Sequence, residues 1–499
     1  MGRAPFTEMQ PTPTCAASRE INFSADELLR ALLRLDRTRR VSILDSGSAP
    51  SIERGLEARL MIAGFDPVEV IEAHEDQLTI TRHGEGIENN LHGDPLSLLD
   101  ERLARYITPR TPFAGACIAT LSYDLARRYE RLRLKKARPA EAEPDAVFNF
   151  YDALVVHDYL LGRTKIVSAS GAEQLDKIEA TLLEARRESD GDLSNRASAF
   201  SPFAYSNNEQ NCSERGVAVS NFTRADYIAA VKSIKEHIFA GDIYQANLTQ
   251  QFTCRLRRDD TVESLFMRLR RDNPVPFAAF IRRRDDTVIS ASPERFLKVG
   301  IEDGACVVEA WPIKGTRPRG KNADEDARLR HELEQSEKDR AENVMIVDLL
   351  RNDLGRVCRF GSVKVTSLCE LQTNPTLFHL VSKVRGELRG KTTASQLLRA
   401  TFPCGSITGA PKLRAMEIID EIETAPRGSS MGAIGYLAFD GSIDLNVAIR
   451  TMVVRDDGSV RFNTGGGIVA ESVPGVEYEE SLVKASALFR ALNVSFAGR

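Results

Sequence analysis

Between Ala433 and Asn463 three apolar, β-branched runs (Ala433–Phe439, Ser442–Val454 and Val460–Asn463) are separated by Asp440-Gly441 and Asp456-Asp457-Gly458. Asp-Gly turns of this length join neighbouring antiparallel strands, because glycine supplies the positive φ that a tight hairpin needs. Similar runs occur at Cys117–Tyr123, Phe148–Asp158, Thr164–Ala169, Ile243–Cys254, Ala305–Trp311, Val363–Thr366 and His379–Val384. Helical periodicity is confined to separate blocks. One opens at Thr223, a predicted N-cap, and places Tyr227, Val231, Ile234 and Ile238 on one face. Others cover Ala172–Arg187, Ala323 to about Leu354, Pro411–Ile422 and about Tyr478 to Leu492. Strands and helices in blocks, rather than in strict alternation, predict an α+β fold of layered antiparallel β-sheets with flanking helices.

A chain of 499 residues can hold two conventional domains or one large layered unit. Residues 1–20, with Pro11-Thr12-Pro13-Thr14 and no apolar centre, read as a disordered tail rather than a secretory signal. Residues 21–187 read as an amino-terminal lobe, 188–221 as a Ser/Asn-rich flexible linker or insertion, and 222–495 as the catalytic region. A net charge of -4 implies no bulk attraction to nucleic acid or to an anionic membrane, and no apolar run reaches spanning length. Eight cysteines without C-x-x-C pairs point to a reducing cytoplasm.

Three groups of residues bear on chemistry. Lys314 lies between Pro312, which ends strand pairing, and Gly315, which frees the backbone. A lysine so held is a nucleophile if partly desolvated, and a plain solvated cation otherwise. Asp339 and Glu342 share one helical face, and Glu477 and Glu480 repeat the spacing on another helix. Those carboxylates either hold a hard ion such as magnesium or form two solvated faces beside Lys338, Arg340 and Lys484. Arg450, among Val447, Ala448, Ile449, Met452 and Val453, needs either an anionic ligand or a structural ion pair. The turn Gly405–Lys412 and the run Gly465-Gly466-Gly467 offer main-chain amides to an anion.

From Phe222 to about Leu492 the chain resembles the chorismate-binding enzymes. The matching segments are Gly241-Asp242-Ile243-Tyr244-Gln245-Ala246-Asn247-Leu248, Ser292-Pro293-Glu294-Arg295-Phe296, Lys338–Asn343, Phe402–Lys412 and Glu477–Glu480. The amino-terminal segments Pro112–Gly115 and Leu121–Leu125 are similar to the ammonia-using members, although Ala116 and Ala119 replace expected glycines. Trp311 likewise stands where that family is expected to have arginine. Members that use water are expected to have a lysine base at the position of Gln245. Members that form anthranilate, isochorismate or salicylate are expected to have alanine at the position of Lys314. The resemblance therefore implies the branch that forms 4-amino-4-deoxychorismate, with anthranilate formation as the alternative. A non-catalytic subunit is disfavoured by the intact acidic pairs.

The resemblance also implies roles. Glu342 and Glu480, supported by Asp339 and Glu477, would hold Mg2+ against the ring carboxylate of chorismate. Thr316, Tyr436, Arg450, Gly466, Gly467 and Lys484 would bind the substrate, its enolpyruvyl carboxylate included. Glu294 would be the general acid, Lys314 the nucleophile, and Gln245 the glutamine of the ammonia-using branch. His379 reads either as a contact of the leaving group or as a core histidine. With no cysteine in a glutaminase-type glycine elbow, ammonia is expected from a separate glutamine amidotransferase subunit.

Overall fold

The computed structural model describes residues 16–47, 59–82, 86–106, 111–136, 142–192, 216–373, 377–390 and 392–496. Among these residues the strands form one thirteen-stranded and one twelve-stranded sheet. Pairing is antiparallel throughout except where Gly216–Ser220 meets Val494–Phe496, so the layered α+β expectation holds. Neither sheet belongs to one half of the sequence. In the first, Ser42–Asp45 pairs with Phe277–Arg282; in the second, Ala116–Leu121 pairs with Ala433–Ala438. The sheets face each other across a core containing Ile118, Leu154, Ile281, Val288, Ile434 and Val453.

Helices cover both outer faces. Glu337–Gly355 presses Ile346, Val347, Leu350 and Leu354 onto the second sheet. Pro474–Leu492 presses Leu482, Ala485, Leu488 and Leu492 onto the first. The two acidic pairs thus belong to opposite outer layers. No helix among the described residues is long and apolar enough to cross a membrane.

Several boundaries differ from the sequence reading. Ala17–Ile21 is a strand paired with Arg163–Ser168, so the amino-terminal tail is shorter than twenty residues. The helix at Ala172 runs to Asp192 and Gly216–Ser220 is a strand, which trims both ends of the 188–221 linker; residues 193–215 lie outside the described residues. The helix expected from Ala323 to Leu354 is two helices, Ala323–Glu334 and Glu337–Gly355. The Ser336 side chain accepts from the Asp339 amide at 3.2 Å and starts the second one. The run Ser442–Val454 is also two elements. Ile443–Val447 belongs to one sheet and Thr451–Arg455 to the other, and the chain crosses between them at Arg450, whose φ is 51°.

Candidate active site

The site forms where strand ends from both sheets meet the two acidic helices. Lys314 is the second residue of Ile313–Pro318, a strand of its own rather than the end of the preceding one. Its pairing with Leu377–Glu387 slips at Gly315, whose φ of 78° makes the bulge. A side chain on Gly315 would also collide with Asp339 Cβ and Leu333, each 2.9 Å from its Cβ position. The bulge lays the strand against the acidic helix. Among the described residues the Lys314 ammonium has no hydrogen bond or ion pair, yet its charge acts on Glu294, Glu342 and Glu480.

Glu294 is buried, and its Oε1 has no hydrogen-bond partner. Burial raises its pKa, against the opposing pull of Ser406, Lys314 and Lys484. Beside it the Cys404 thiol is pushed up to about 12 by burial and by the Glu294 charge. Gln245 is wholly buried, with both amide atoms unpaired. Gly467 makes room for it: a Cβ there would lie 2.1 Å from Gln245 Nε2. A buried carboxyl oxygen and a buried amide left without partners are the kind of groups that await a ligand.

The last strand does not end at Asn463, ahead of the glycines 465–467, as the sequence suggested. Ser459–Ile468 runs through them, paired with Gln245–Arg255. Their missing side chains let neighbouring groups lean over the sheet. A Cβ on Gly466 would be 3.3 Å from Lys484 Nζ, 3.6 Å from Glu477 Oε2 and 3.7 Å from Glu480 Oε1. The Gly405–Lys412 turn differs from the free anion cradle expected. Gly409-Ala410 pairs with Gln245-Ala246, and Lys412 is buried in an ion pair with Asp353 at 2.5 Å.

The Arg450 guanidinium has no hydrogen bond or ion pair among the described residues, and burial lowers its pKa. Extending the register Met452↔Phe462 would set it opposite Thr464, on the sheet edge its own crossover leaves open. An uncompensated cation beside that edge suits an anion. Its charge reaches His379, whose Nδ1 meets Thr316 Oγ1 at 2.9 Å. Tyr436 is not among the groups so assembled. Strand alternation turns it between the sheets, where it meets Phe113 edge-on at 5.5 Å.

Burial, then Arg450, lowers the His379 pKa to about 4, so the ring is neutral in the folded chain. Below the unfolded value of 6.5 the unfolded chain takes up this proton first, so stability falls from pH 6.5 to about 4. The loss is on the order of 3 kcal/mol. Urea midpoints across that range should show it, and His379→Phe should flatten the slope. An unchanged slope would contradict the assignment.

The acidic groups meet across the layers. Lys338 from one helix lies 3.8 Å from Glu477 on the other, and Ser472 donates to Glu477 at 2.6 Å. Glu480 pairs with Lys484 at 2.7 Å, and that charge outweighs burial to lower its pKa. Burial raises the Glu342 pKa, with Asp339 and Glu477 adding to the rise against Lys314 and Lys338. Asp339 turns toward Arg317 at 3.3 Å. Among the described residues no three acidic, histidine or cysteine groups already close on a common point. The donor set is of the type that suits a hard divalent ion: Glu477 and Glu480 of one helix lie beside Gly466, and Glu342 of the other is near enough for the Glu477 charge to act on it. Lysines now offset their charge. Arg317, Ser406 and Ser472 escaped the sequence reading; only Ser472, just ahead of a helix start, carried any signal, as a capping-type residue.

A profile of the chorismate binding enzyme family matches residues 44–490. Aminodeoxychorismate synthase component 1 of Klebsiella aerogenes is 38% identical over 423 residues, covering 83% of this chain and 86% of its own length. Anthranilate synthase component 1 of Pseudomonas aeruginosa is 36% identical over 442 residues, covering 87% of each. Identity alone does not separate those two activities. Among solved structures, anthranilate synthase component I of Streptococcus pneumoniae superposes with a TM-score of 0.69 at 29% identity, over 87% of this chain and 93% of that one.

Proposed function

The chain belongs to the chorismate-binding enzymes, and on that footing we propose that it converts chorismate and ammonia to 4-amino-4-deoxychorismate. The observation that carries this reading is Lys314: a side-chain nitrogen without an ion pair among the described residues, whose charge acts on Glu294, a buried carboxyl with its pKa raised by burial. In the first step the Lys314 amine bonds to C2 of the ring, the two conjugated ring double bonds move from C1=C2 and C5=C6 to C1=C6 and C4=C5, and the C4–oxygen bond breaks. Glu294 gives its proton to the departing hydroxyl, which leaves as water. In the second step ammonia bonds to C4, both double bonds return to C1=C2 and C5=C6, and the C2–Lys314 bond breaks. The amine therefore ends on the carbon that lost the hydroxyl.

Arg450, with Thr316 and the strand at Gly466 and Gly467, binds the enolpyruvyl carboxylate, and Lys484 lies at its rim. His379, neutral and fixed by Thr316, lines the leaving-group side. Gln245 faces the incoming ammonia with an uncharged amide. Glu342 and Glu480, with Glu477 and Asp339 behind them, would hold Mg2+, which supplies positive charge for the ring carboxylate. Formation of anthranilate is the second reading; the relatives of that name at similar identity favour it.

Product analysis decides between them. Chorismate, magnesium and an ammonium salt at alkaline pH should yield 4-amino-4-deoxychorismate by chromatography, whereas anthranilate is identified by its fluorescence and would refute the reading. Relatives named component 1 support a separate amidotransferase subunit as the ammonia source. The purified chain should accordingly show no turnover with glutamine in place of ammonium. Glutamine-driven turnover would remove the need for that partner.

A further inference from the structure

Trp311 is the chain's single tryptophan and is 7% exposed. Its surroundings are unusual for a core residue. Lys383 Nζ stands over the ring at 4.4 Å from the centroid, and the Arg295 guanidinium carbon at 4.7 Å. The indole Nε1 has no hydrogen-bond partner. The ring is therefore held through its face by two cations, and not through its N–H.

Its place in the sheet gives this stack a consequence. Arg295–Glu302 and Ala305–Ala310 are paired only as far as Lys298↔Glu309. On its other side Ala305–Ala310 is paired with Leu377–Glu387 from Val307 to Ala310, and past it the chain stays with that strand, the Ser382 amide donating to the Pro312 carbonyl at 3.1 Å. The two strands thus fork where Trp311 lies. One arm begins at Arg295, directly after Glu294; the other reaches Lys314 three residues after Trp311. Arg295 is itself fixed, by two 3.0 Å hydrogen bonds to Asp444 and by the Phe277 ring at 5.0 Å. Among the described residues the two strands are not paired across the fork, and the indole bridges it.

We infer that Trp311 is a positioning residue: wedged in this fork against Arg295 and Lys383, it sets the separation of Glu294 and Lys314. The inference rests on the reading of those two groups as acid and nucleophile. A rigid aromatic face clamped by two cations fixes a distance that a flexible aliphatic side chain does not. Reaction between a protonated acid, an amine and a ring carbon depends steeply on that distance. A shift near 1 Å is enough to lower turnover about 100-fold.

Three variants and two readouts test this. Trp311→Leu keeps an apolar side chain but loses the π face, Trp311→Phe keeps an aromatic face and drops the unpaired N–H, and Lys383→Met removes one cation. Trp311→Leu should lower kcat about 100-fold with KM changed less than about threefold. Trp311→Phe should restore kcat to within about fivefold of the parent, and Lys383→Met should fall between them. Without substrate, trinitrobenzenesulfonate labelling of Lys314, read by peptide mass spectrometry, should change rate in Trp311→Leu and not in Trp311→Phe. Parental kcat and parental labelling in Trp311→Leu would overturn the inference. So would an equal loss in the leucine and phenylalanine variants. If Trp311→Leu does not fold, Lys383→Met decides: parental kcat and labelling there refute the clamp. If the parent forms anthranilate, the proposed product falls, while the kcat and labelling ratios still read the role of Trp311.

Discussion

Lys314→Ala is expected to lower formation of 4-amino-4-deoxychorismate about 1000-fold, roughly 4 kcal/mol of barrier. The amine is removed without disturbing a partner, since it has no hydrogen bond or ion pair among the described residues. The strand should keep its pairing, because the bulge depends on Gly315 and not on the lysine side chain. Both carboxylate-binding regions should keep chorismate, so KM should move little while kcat collapses. With C2 then open, ammonia can attack it directly, and a trace of the 2-amino product is expected. Trapping the parent with chorismate in the absence of ammonia should leave a mass adduct on the peptide that includes Lys314. An unmodified peptide, together with full activity of the alanine variant, would reduce Lys314 to a cation near the substrate.

Glu342→Gln and Glu480→Gln should each cost at least about 100-fold in kcat/KM. Each removes a charge and leaves the side-chain size almost unchanged. Loss of chemistry and loss of magnesium dependence should coincide, because the same oxygens serve both. Stability is expected to respond oppositely at the two positions. Burial opposes the ionised form of Glu342, so its amide should unfold no earlier than the parent. The Glu480 charge is favoured by Lys484 in a half-exposed pair, so that amide should lower Tm by about 1 °C. Scanning calorimetry together with activity in excess chelator checks both. Turnover that persists in chelator would remove these residues from a metal site.

The acidic pairs were legible in the sequence because helical spacing alone sets two carboxylates on one face. Burial raises the Glu294 pKa, a property that depends on the folded surroundings and not on the neighbouring sequence. What could not be read was where the chain changes partner. The run Ser442–Val454 is evenly apolar, and nothing local marks Arg450 as the residue that passes between sheets. Three successive glycines suggested a break, yet a strand tolerates them where neighbours need the space above it. Tyr436 shows the same limit: alternation along its strand was readable, but which face met the site was not. Ser336 divides two helices through one hydrogen bond, a cue weaker than the surrounding helical periodicity.

The interleaving of early and late strands in both sheets constrains synthesis as well as architecture. Ala116–Leu121 acquires its neighbour Ala433–Ala438 only after about three hundred further residues have been added. At roughly 5 to 20 residues per second, the nascent chain emerges with unpaired strand edges for about 15 to 60 s. Ser42–Asp45 likewise waits for Phe277–Arg282. Neither half can close a sheet alone, so a ribosome stalled near the middle of the message would display sticky edges rather than a finished lobe. Co-expression of the two halves should therefore recover soluble protein that neither half gives separately.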